Sequence, residues 1–320
     1  MGKTKFKVNA LSSDLPGLAK NQDPGLINSW DLIKECSSYW ISNTGAANVK
    51  LLNKCGLTLK TVTVNFSEEI PLPDTPTGLT RNLSKGFIVD NGSSSASSEW
   101  IVVTRSGRIH GYSPLVDPDN AILTVNNSLD SSYTGVDQHD DLLYAANFGK
   151  GTIDVFNFNW DQLAPSFSDP SLPLGYSPFN VSIIDDIVYI SYAFKSGDDP
   201  VAGAGLGLVN SFTLDGTFIS RVIDAGGELN IPYSVVEGPK CIEKLDKKLI
   251  ISNVGSGELT VYNLAGTLES KLTLCNGNSV SVVGIKGLVS GKDKIYFAAG
   301  IESEEHGLFG VIKQKKCHEC

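Results

Sequence analysis

Short apolar runs alternate with turns along the whole chain. The runs consist mainly of Val, Ile, Thr, Tyr and Phe, the residues most enriched in β-strands. The turns are rich in Asn, Asp, Ser and Gly, and the 320 residues include 32 glycines. Frequent turns between strand-forming runs predict an all-β protein.

One unit recurs six times in this pattern: an apolar strand, a turn and a second strand. The copies occupy residues 39–53, 100–112, 142–156, 187–212, 249–262 and 295–312. The copies are spaced roughly 43 to 61 residues apart, which matches a four-stranded propeller blade. The first strand of each copy is apolar on both faces, as expected for a blade sandwiched between two neighbours. The repeats therefore predict a β-propeller.

A shorter segment precedes each copy, and we interpret it as the innermost strand, where small residues suit a narrow axis. These segments are residues 24–30, 75–79, 133–136, 177–181, 231–235 and 279–284. Outer strands are predicted at residues 57–66, 121–126, 217–223 and 268–274. Gly216 and Gly266 supply tight hairpin turns before two of these outer strands.

The sixth repeat runs out of chain before its outer strand. Residues 5–11 have the pattern of a strand, so we predict that they complete the sixth blade and close the ring. The expected architecture is a single six-bladed propeller over residues 1–312, with a tail at 313–320. Its blades lie near residues 24–66, 74–126, 131–170, 175–223, 230–274, and 278–312 with 5–11. A β-sandwich or a parallel β-helix is the alternative, and deletion of residues 1–12 should destabilise the ring.

The net charge of −9 changes the list of expected partners. Nucleic-acid binding requires several clustered Lys or Arg contacts to phosphates, and this sequence has no such cluster, so we do not expect a nucleic-acid partner. A helix that crosses a bilayer needs about 18 consecutive apolar residues, and no apolar run in the sequence is that long. No secretory signal follows Met1. The sequence predicts a soluble protein without membrane insertion, in a compartment that it leaves open.

Six cysteines divide into two groups. Cys36, Cys55, Cys241 and Cys275 stand in apolar sequence, where a free cysteine commonly acts as a small hydrophobe. Cys317 and Cys320 form a C-x-x-C at the C-terminus that could be a disulfide, a reactive tail or a frayed end. Asn-x-Ser sequons occur at Asn65, Asn82, Asn91, Asn126 and Asn180.

Four segments carry a family resemblance. They are residues 23–30 (DPGLINSW), 143–156 (LYAANFGKGTIDVF), 175–181 (GYSPFNV) and 306–310 (HGLFG). They resemble an uncharacterised family of NHL-like six-bladed propellers, mostly bacterial and exported, with relatives in giant viruses. Asp31 and residues 232–234 depart from the family's pattern. The resemblance implies the fold, and the family has no established activity to carry over.

Catalytic motifs are scarce, because no G-x-S-x-G, Walker or H-E-x-x-H pattern is present. A metal-dependent propeller hydrolase of the lactonase type would hold a divalent cation such as calcium with Glu, Asn and Asp at the axis. Asp137 is the nearest acidic candidate, beside Asn28, Asn180 and Asn230. Asn side chains at such positions also cap turns, which is the structural alternative.

We expect ligands at the face that carries the entries to the inner strands and the middle hairpin loops. The predicted binding residues are Asn28, Arg105, Tyr133, Tyr176, Asn180, Asn230, Tyr233 and His306. Aromatic rings and amides around an axial depression suit a sugar, a peptide or a partner protein. His306, which follows Glu302, Glu304 and Glu305, could titrate near neutrality.

These observations favour a non-enzymatic propeller without a cofactor that presents a binding or assembly surface to a protein or glycan partner. It would be a structural or surface component of a virus particle or an exported assembly. The alternatives are the metal-dependent hydrolase and a redox role for Cys317 and Cys320. The oligomeric state is left open.

Overall fold

The computed structural model describes residues 4–64, 74–164 and 167–315. Within these residues the chain is built from 27 strands and one 3-10 turn at Thr44–Ala46. The expected all-β propeller-like fold is confirmed. The predicted Cys317 and Cys320 pair lies outside the described residues, as do the end of the first predicted outer strand and most of the predicted tail.

The strands cover most of the chain. The first twelve are β1 (Lys5–Ser13), β2 (Asn21–Gln22), β3 (Ser29–Glu35), β4 (Ser38–Asn43), β5 (Asn48–Asn53), β6 (Thr58–Val64), β7 (Pro76–Arg81), β8 (Ile88–Asp90), β9 (Ser95–Ser97), β10 (Trp100–Thr104), β11 (Arg108–Tyr112) and β12 (Asn120–Asn126). The next eight are β13 (Tyr133–His139), β14 (Leu142–Asn147), β15 (Thr152–Asn157), β16 (Tyr176–Ile184), β17 (Ile187–Ser196), β18 (Asp199–Pro200), β19 (Gly207–Phe212) and β20 (Phe218–Ile223). The last seven are β21 (Pro232–Glu237), β22 (Leu249–Asn253), β23 (Leu259–Tyr262), β24 (Leu268–Lys271), β25 (Ile285–Ser290), β26 (Lys294–Ile301) and β27 (His306–Lys315).

The strands pair into antiparallel meanders of the predicted kind. Strands β16, β17, β19 and β20 form one, and β21 to β24 form another. Strands β13 to β15 form a three-stranded sheet, which only an isolated bridge between Phe156 and Gln162 extends. The third predicted blade, residues 131–170, therefore has three regular strands among its described residues.

Among the described residues, four separate sheets have four or more strands each, whereas the repeats predict six blades. Two differences from the prediction explain the count. Strands β3 to β6 and β7, β10, β11 and β12 merge into one eight-stranded sheet, because their outermost strands β6 and β12 pair in parallel over two residues. The third repeat supplies only three regular strands.

The inner strands contact one another in a fixed order. β3 contacts β7, β7 contacts β13, β13 contacts β16, β16 contacts β21, β21 contacts β25, and β25 contacts β3. At the edge, the N-terminal strand β1 pairs antiparallel with β27, from Lys5 opposite Lys315 to Ser13 opposite Leu308. Strand β27 extends to Lys315, three residues beyond the predicted end of the propeller.

Apolar side chains fill the spaces between neighbouring sheets. The first strand of each copy of the repeat is buried on both faces, as its composition predicts; in β10, for example, Ile101, Val102 and Val103 are fully buried. Ile101 and Val103 pack towards Leu143 and Phe156 of the third repeat, whereas Val102 packs towards Trp40 of the first. The alternation of side chains along a strand thus joins each sheet to both neighbours.

Candidate functional site

A cavity of about 500 Å³ lies at the C-terminal ends of the inner strands. All six inner strands contribute to its wall, through residues 31–34, 79–80, 136–137, 180–184, 234–237 and 288–290. We call it the axial cavity. Its volume falls within the roughly 300–1,000 Å³ typical of small-molecule sites.

Three aromatic side chains from different inner strands meet beside the axial cavity. Trp30, Phe179 and Tyr233 contact one another with ring centroids 5.5 to 6.2 Å apart, in tilted or edge-on arrangements. All three are buried, and the indole nitrogen of Trp30 donates to the carbonyl of Thr134 at 3.0 Å. We call this cluster the axial plug. The axial plug thus places large rings where we expected small side chains. These rings fill the space that the converging strands leave at the axis.

Asp31 lies between the axial plug and the axial cavity. Its carboxylate accepts hydrogen bonds from the backbone N–H groups of Leu32 at 2.9 Å and Leu79 at 3.2 Å, and the Tyr233 hydroxyl lies 3.2 Å away. Burial raises the pKa of Asp31 to about 7 in spite of these hydrogen bonds, and the charge of Asp137 adds to the rise. At neutral pH this carboxyl is therefore poised between its two protonation states.

Asp137 is the second acidic side chain in the wall of the axial cavity. It accepts hydrogen bonds from the backbone N–H groups of Ile183 and Gln138, each at 2.8 Å, and from the Thr80 hydroxyl at 3.1 Å. Burial raises the pKa of Asp137 above its ordinary value, although these hydrogen bonds oppose the rise. The residue predicted as a metal ligand thus ties the third inner strand to its neighbours on both sides.

A buried lysine lies on the side of the axial plug where the inner strands begin. The ammonium of Lys286 stands 4.6 Å from the ring centre of Trp30 and 2.9 Å from the Glu304 carboxylate. Burial lowers the pKa of Lys286, and the Glu304 charge opposes that effect. Asn28 joins the pair by donating to Glu304 at 3.2 Å. The loop that holds Glu304 has positive φ at Glu302, Ser303 and Glu304.

The predicted binding residues do not converge on one point. Asn28 and Arg105 lie near the Lys286–Glu304 pair, and Arg105 also binds the Asp199 carboxylate at 2.7 Å. Tyr233 belongs to the axial plug, and Asn180 lines the axial cavity while donating to the Tyr233 carbonyl at 3.4 Å.

Four other predicted residues have local partners. The Tyr133 hydroxyl donates to Asp154 at 3.0 Å, and Tyr176 donates to the Gly205 carbonyl at 3.3 Å. The Asn230 side chain accepts from the backbone of Gly203 at 2.8 Å. The His306 imidazole lies 2.6 Å from the Asp14 carboxylate, and this hydrogen bond raises the pKa of His306 above its ordinary value.

A second charged cluster lies away from the axis and was not predicted. The Asp74 carboxylate contacts the Arg108 guanidinium at 2.8 Å and the His110 imidazole at 2.7 Å, and Ser106 donates to it as well. Burial would raise the pKa of Asp74, but these hydrogen bonds bring it below the ordinary value. The cluster fixes the start of β7 to the hairpin of β10 and β11.

The cysteines and sequons differ from their predicted surroundings. Cys36, Cys55 and Cys241 are free and exposed, because they stand in loops and not in the strands between sheets, so the expectation that they act as buried hydrophobes is wrong. Cys275 is disulfide-bonded. Among the sequons, Asn82 and Asn180 are buried, whereas Asn91 and Asn126 are exposed; Asn65 lies outside the described residues.

In the part of the chain that the structure describes, no group of three or more His, Cys, Asp and Glu side chains is arranged to hold a metal ion. No helix there is long and apolar enough to pass through a bilayer.

The fold and the axial cavity place the chain among proteins with an all-β propeller-like fold. No protein-family model matches the sequence. The chain is 29% identical over 332 residues to an uncharacterised protein of Acanthamoeba polyphaga mimivirus, which covers 97% of this chain and 80% of that protein. A second uncharacterised mimivirus protein is 28% identical over 96% of this chain and 85% of its own length. A third is 31% identical over 83% of this chain, but this match covers only 52% of that protein.

Solved structures share the fold at low sequence identity. Virginiamycin B lyase from Staphylococcus aureus superposes with a TM-score of 0.58 and 12% identity, over 97% of this chain and 99% of the lyase. A protein of unknown function from Bacteroides thetaiotaomicron gives a TM-score of 0.63 and 10% identity, over 97% of this chain and 77% of that protein. At these identities the likeness concerns the fold alone.

Proposed function

We propose that this chain is a non-catalytic binding propeller whose ligand occupies the axial cavity. The observation that carries the proposal is that all six inner strands line one cavity of ligand size. The side chains with catalytic potential in its wall have structural partners: the Asp137 carboxylate accepts three hydrogen bonds that join the second, third and fourth repeats. A protein or glycan partner would insert a small group into the axial cavity.

The proposal includes a ring of six blades closed by the N-terminal strand. Three observations support it: the inner strands contact one another in a closed order, the eight-stranded sheet contains two four-stranded meanders, and β1 lies beside β27. Closure can be tested with the variant Lys7→Cys/Lys313→Cys, whose positions face each other in this pairing. A disulfide closing so long a loop should stabilise by about 2–4 kcal/mol. The oxidised double variant should melt at a higher temperature than its reduced form and than the Lys7→Cys single variant. If it does not, the result counts against closure.

The relatives suggest a setting for this scaffold. All three reported above are encoded by a giant virus, and we extend the proposal to a protein carried on or in a virus particle. Quantitative mass spectrometry of purified particles from the source should find the chain in amounts that survive protease treatment and density-gradient purification. Its presence only in the lysate of infected cells would reject this part of the proposal.

Ligand binding in the axial cavity can be tested by blocking it. Val289 lines the axial cavity and is half-buried, so Val289→Trp should fill part of the space. Val283→Trp is the matched control, because Val283 is 62% exposed and lies outside the axial cavity, before β25 begins. A panel of sugars, short peptides, amines and carboxylates is screened by thermal melting. Compounds that stabilise the wild type and the control, but not Val289→Trp, support the proposal.

Two results would overturn the proposed function. One is that every compound shifts Val289→Trp as much as the wild type, which would place binding elsewhere. The other is chemical conversion of a bound compound, detected by mass spectrometry of the incubated mixture. A conversion that is lost in Asp137→Asn would favour the hydrolase alternative.

A further inference from the structure

We propose that the axial cavity binds the ammonium group of a singly charged organic amine between the carboxylates of Asp31 and Asp137. This inference rests on the proposed function, since it assigns a ligand class to the same cavity. Both side chains line the axial cavity, and they bind consecutive residues of β7: Asp31 accepts from the Leu79 backbone N–H at 3.2 Å, and Asp137 accepts from the Thr80 hydroxyl at 3.1 Å. Two carboxylates held this close repel each other when both are charged. A cation placed between two such carboxylates would relieve the repulsion.

Each carboxylate has acceptor capacity to spare. A carboxylate offers about four lone-pair directions. Asp31 is contacted by three donors, from Leu32, Leu79 and Tyr233. Asp137 is also contacted by three, from Ile183, Gln138 and Thr80. These contacts fix the orientation of both carboxylates before a ligand arrives, which reduces the entropy cost of binding.

An unpartnered polar atom lies in the same wall. The side-chain oxygen of Asn180 is buried and has no hydrogen-bond partner, and Asn180 itself is only 5% exposed. This oxygen packs against the backbone of Gly135 on the neighbouring inner strand, and such orphaned acceptors are uncommon in folded proteins. An amine has three N–H donors, which matches a wall where Asp31 and Asp137 both have lone pairs to spare.

The charges around the two carboxylates restrict the ligand further. Tyr233 contacts Asp31, and His139, which is paired with Asp186 at 2.9 Å, lies near Asp137. The outer wall of the axial cavity carries three lysines and one glutamate, namely Lys34, Lys240, Lys292 and Glu237. Lys240 approaches Glu237 at 3.9 Å. The excess of lysine at the mouth would repel a second positive charge, so the site should prefer a monoamine to a diamine.

The test compares three probes of similar size on the whole protein: butylammonium, butane-1,4-diammonium and the neutral butan-1-ol. Binding is measured by calorimetry at pH 7 and constant ionic strength. We expect butylammonium to bind at least about tenfold more tightly than either other probe. Asp137→Asn should weaken butylammonium binding at least about tenfold, and the control Asp293→Asn, an exposed carboxylate near the mouth, should leave it within about twofold.

A second measurement needs no variant. Because Asp31 is partly protonated near neutrality, butylammonium binding at pH 7 should release protons, which calorimetry in two buffers of different ionisation enthalpy detects. Equal affinity for butylammonium and butanol, or binding without proton release, would overturn the inference.

The failure of this inference and that of the proposed function are distinguishable. If Val289→Trp abolishes binding of other compounds but the amine has no advantage, the axial cavity is a ligand site of another class. If Val289→Trp changes no binding at all, both proposals fail.

Discussion

Tyr233 and Asp31 are 202 residues apart in the chain, and the hydroxyl of Tyr233 lies 3.2 Å from the Asp31 carboxylate. The contact joins the fifth inner strand to the first beside the axial plug. The same hydroxyl lies 3.0 Å from the carbonyl of Thr134, on the third inner strand. One buried phenol therefore bridges three repeats that the sequence places far apart.

Removing that phenol should cost stability. In Tyr233→Phe the ring remains in the axial plug, but Asp31 loses a donor while still buried. We expect a loss of about 1–3 kcal/mol in the free energy of unfolding, measured by urea denaturation. The loss should be larger at pH 8 than at pH 5, because a hydrogen bond to the ionised carboxylate is the stronger one. An equal loss at both pH values would contradict this account of Asp31.

The raised pKa of Asp31 predicts a pH dependence of stability with a definite sign. The folded protein holds the proton more tightly than the unfolded chain, since the pKa rises from 3.8 to about 7. The contribution of Asp31 to stability is therefore full below pH 3.8, falls as pH rises towards 7, and is constant above that. The difference in unfolding free energy between wild type and Asp31→Asn should decline over this window, by at most about 1.4 kcal/mol per pH unit. A difference independent of pH would show that Asp31 titrates normally.

The N-terminal strand should contribute to the stability of the whole chain. Phe6 is 3% exposed and packs in the same cluster as Leu272, Leu288 and Ile312. Phe6→Ala should therefore cost about 3–5 kcal/mol, in one cooperative transition with the rest of the protein. Lys7→Ala on the exposed face of the same strand is the control and should change stability by less than about 0.5 kcal/mol. A separate early transition in Phe6→Ala would show that β1 unfolds on its own.

Close approach between inner strands can be tested at one glycine. A Cβ atom at Gly135 would lie 2.6 Å from the Cα of Asn180 on the neighbouring inner strand. Because backbone must shift to admit it, Gly135→Ala should destabilise by about 1–3 kcal/mol. Gly227→Ala meets nothing within 4 Å and should be near neutral. If thermal melting shows similar losses for both variants, the inner strands are packed less closely than the structure indicates.

The sequence predicted the repeating strands well and the site poorly, for physical reasons. Apolar runs such as β10 are buried on both faces, so their composition alone identifies them. Asp31 gave no signal beyond its departure from the family's pattern, because its role depends on Leu79 and Tyr233, which are remote in the chain. Lys286 in a run of small and apolar residues was a signal that could have been used, since a lysine in an inner strand must find a partner when buried.

Lys286 and Glu304 should behave as a coupled pair. Glu304→Gln leaves the Lys286 ammonium buried without its carboxylate. The cost should be about 1–3 kcal/mol, less than the 3–5 kcal/mol of fully buried pairs, because the Glu304 side chain is 42% exposed. Lys286→Met should keep the packing on Trp30, and Lys286→Met/Glu304→Gln should be more stable than the sum of the two single losses predicts.

A double-mutant cycle by urea denaturation at pH 7 measures this coupling directly. We expect a favourable interaction energy of at least about 1 kcal/mol between the two side chains. High salt should reduce this energy by less than half, because the ammonium is shielded from solvent. A coupling near zero would mean that Lys286 finds its compensation in Asn28 and the Trp30 ring, whose distances from the ammonium are 3.4 Å and 4.6 Å. The strained turn at residues 302–304 would then have no part in neutralising the buried charge.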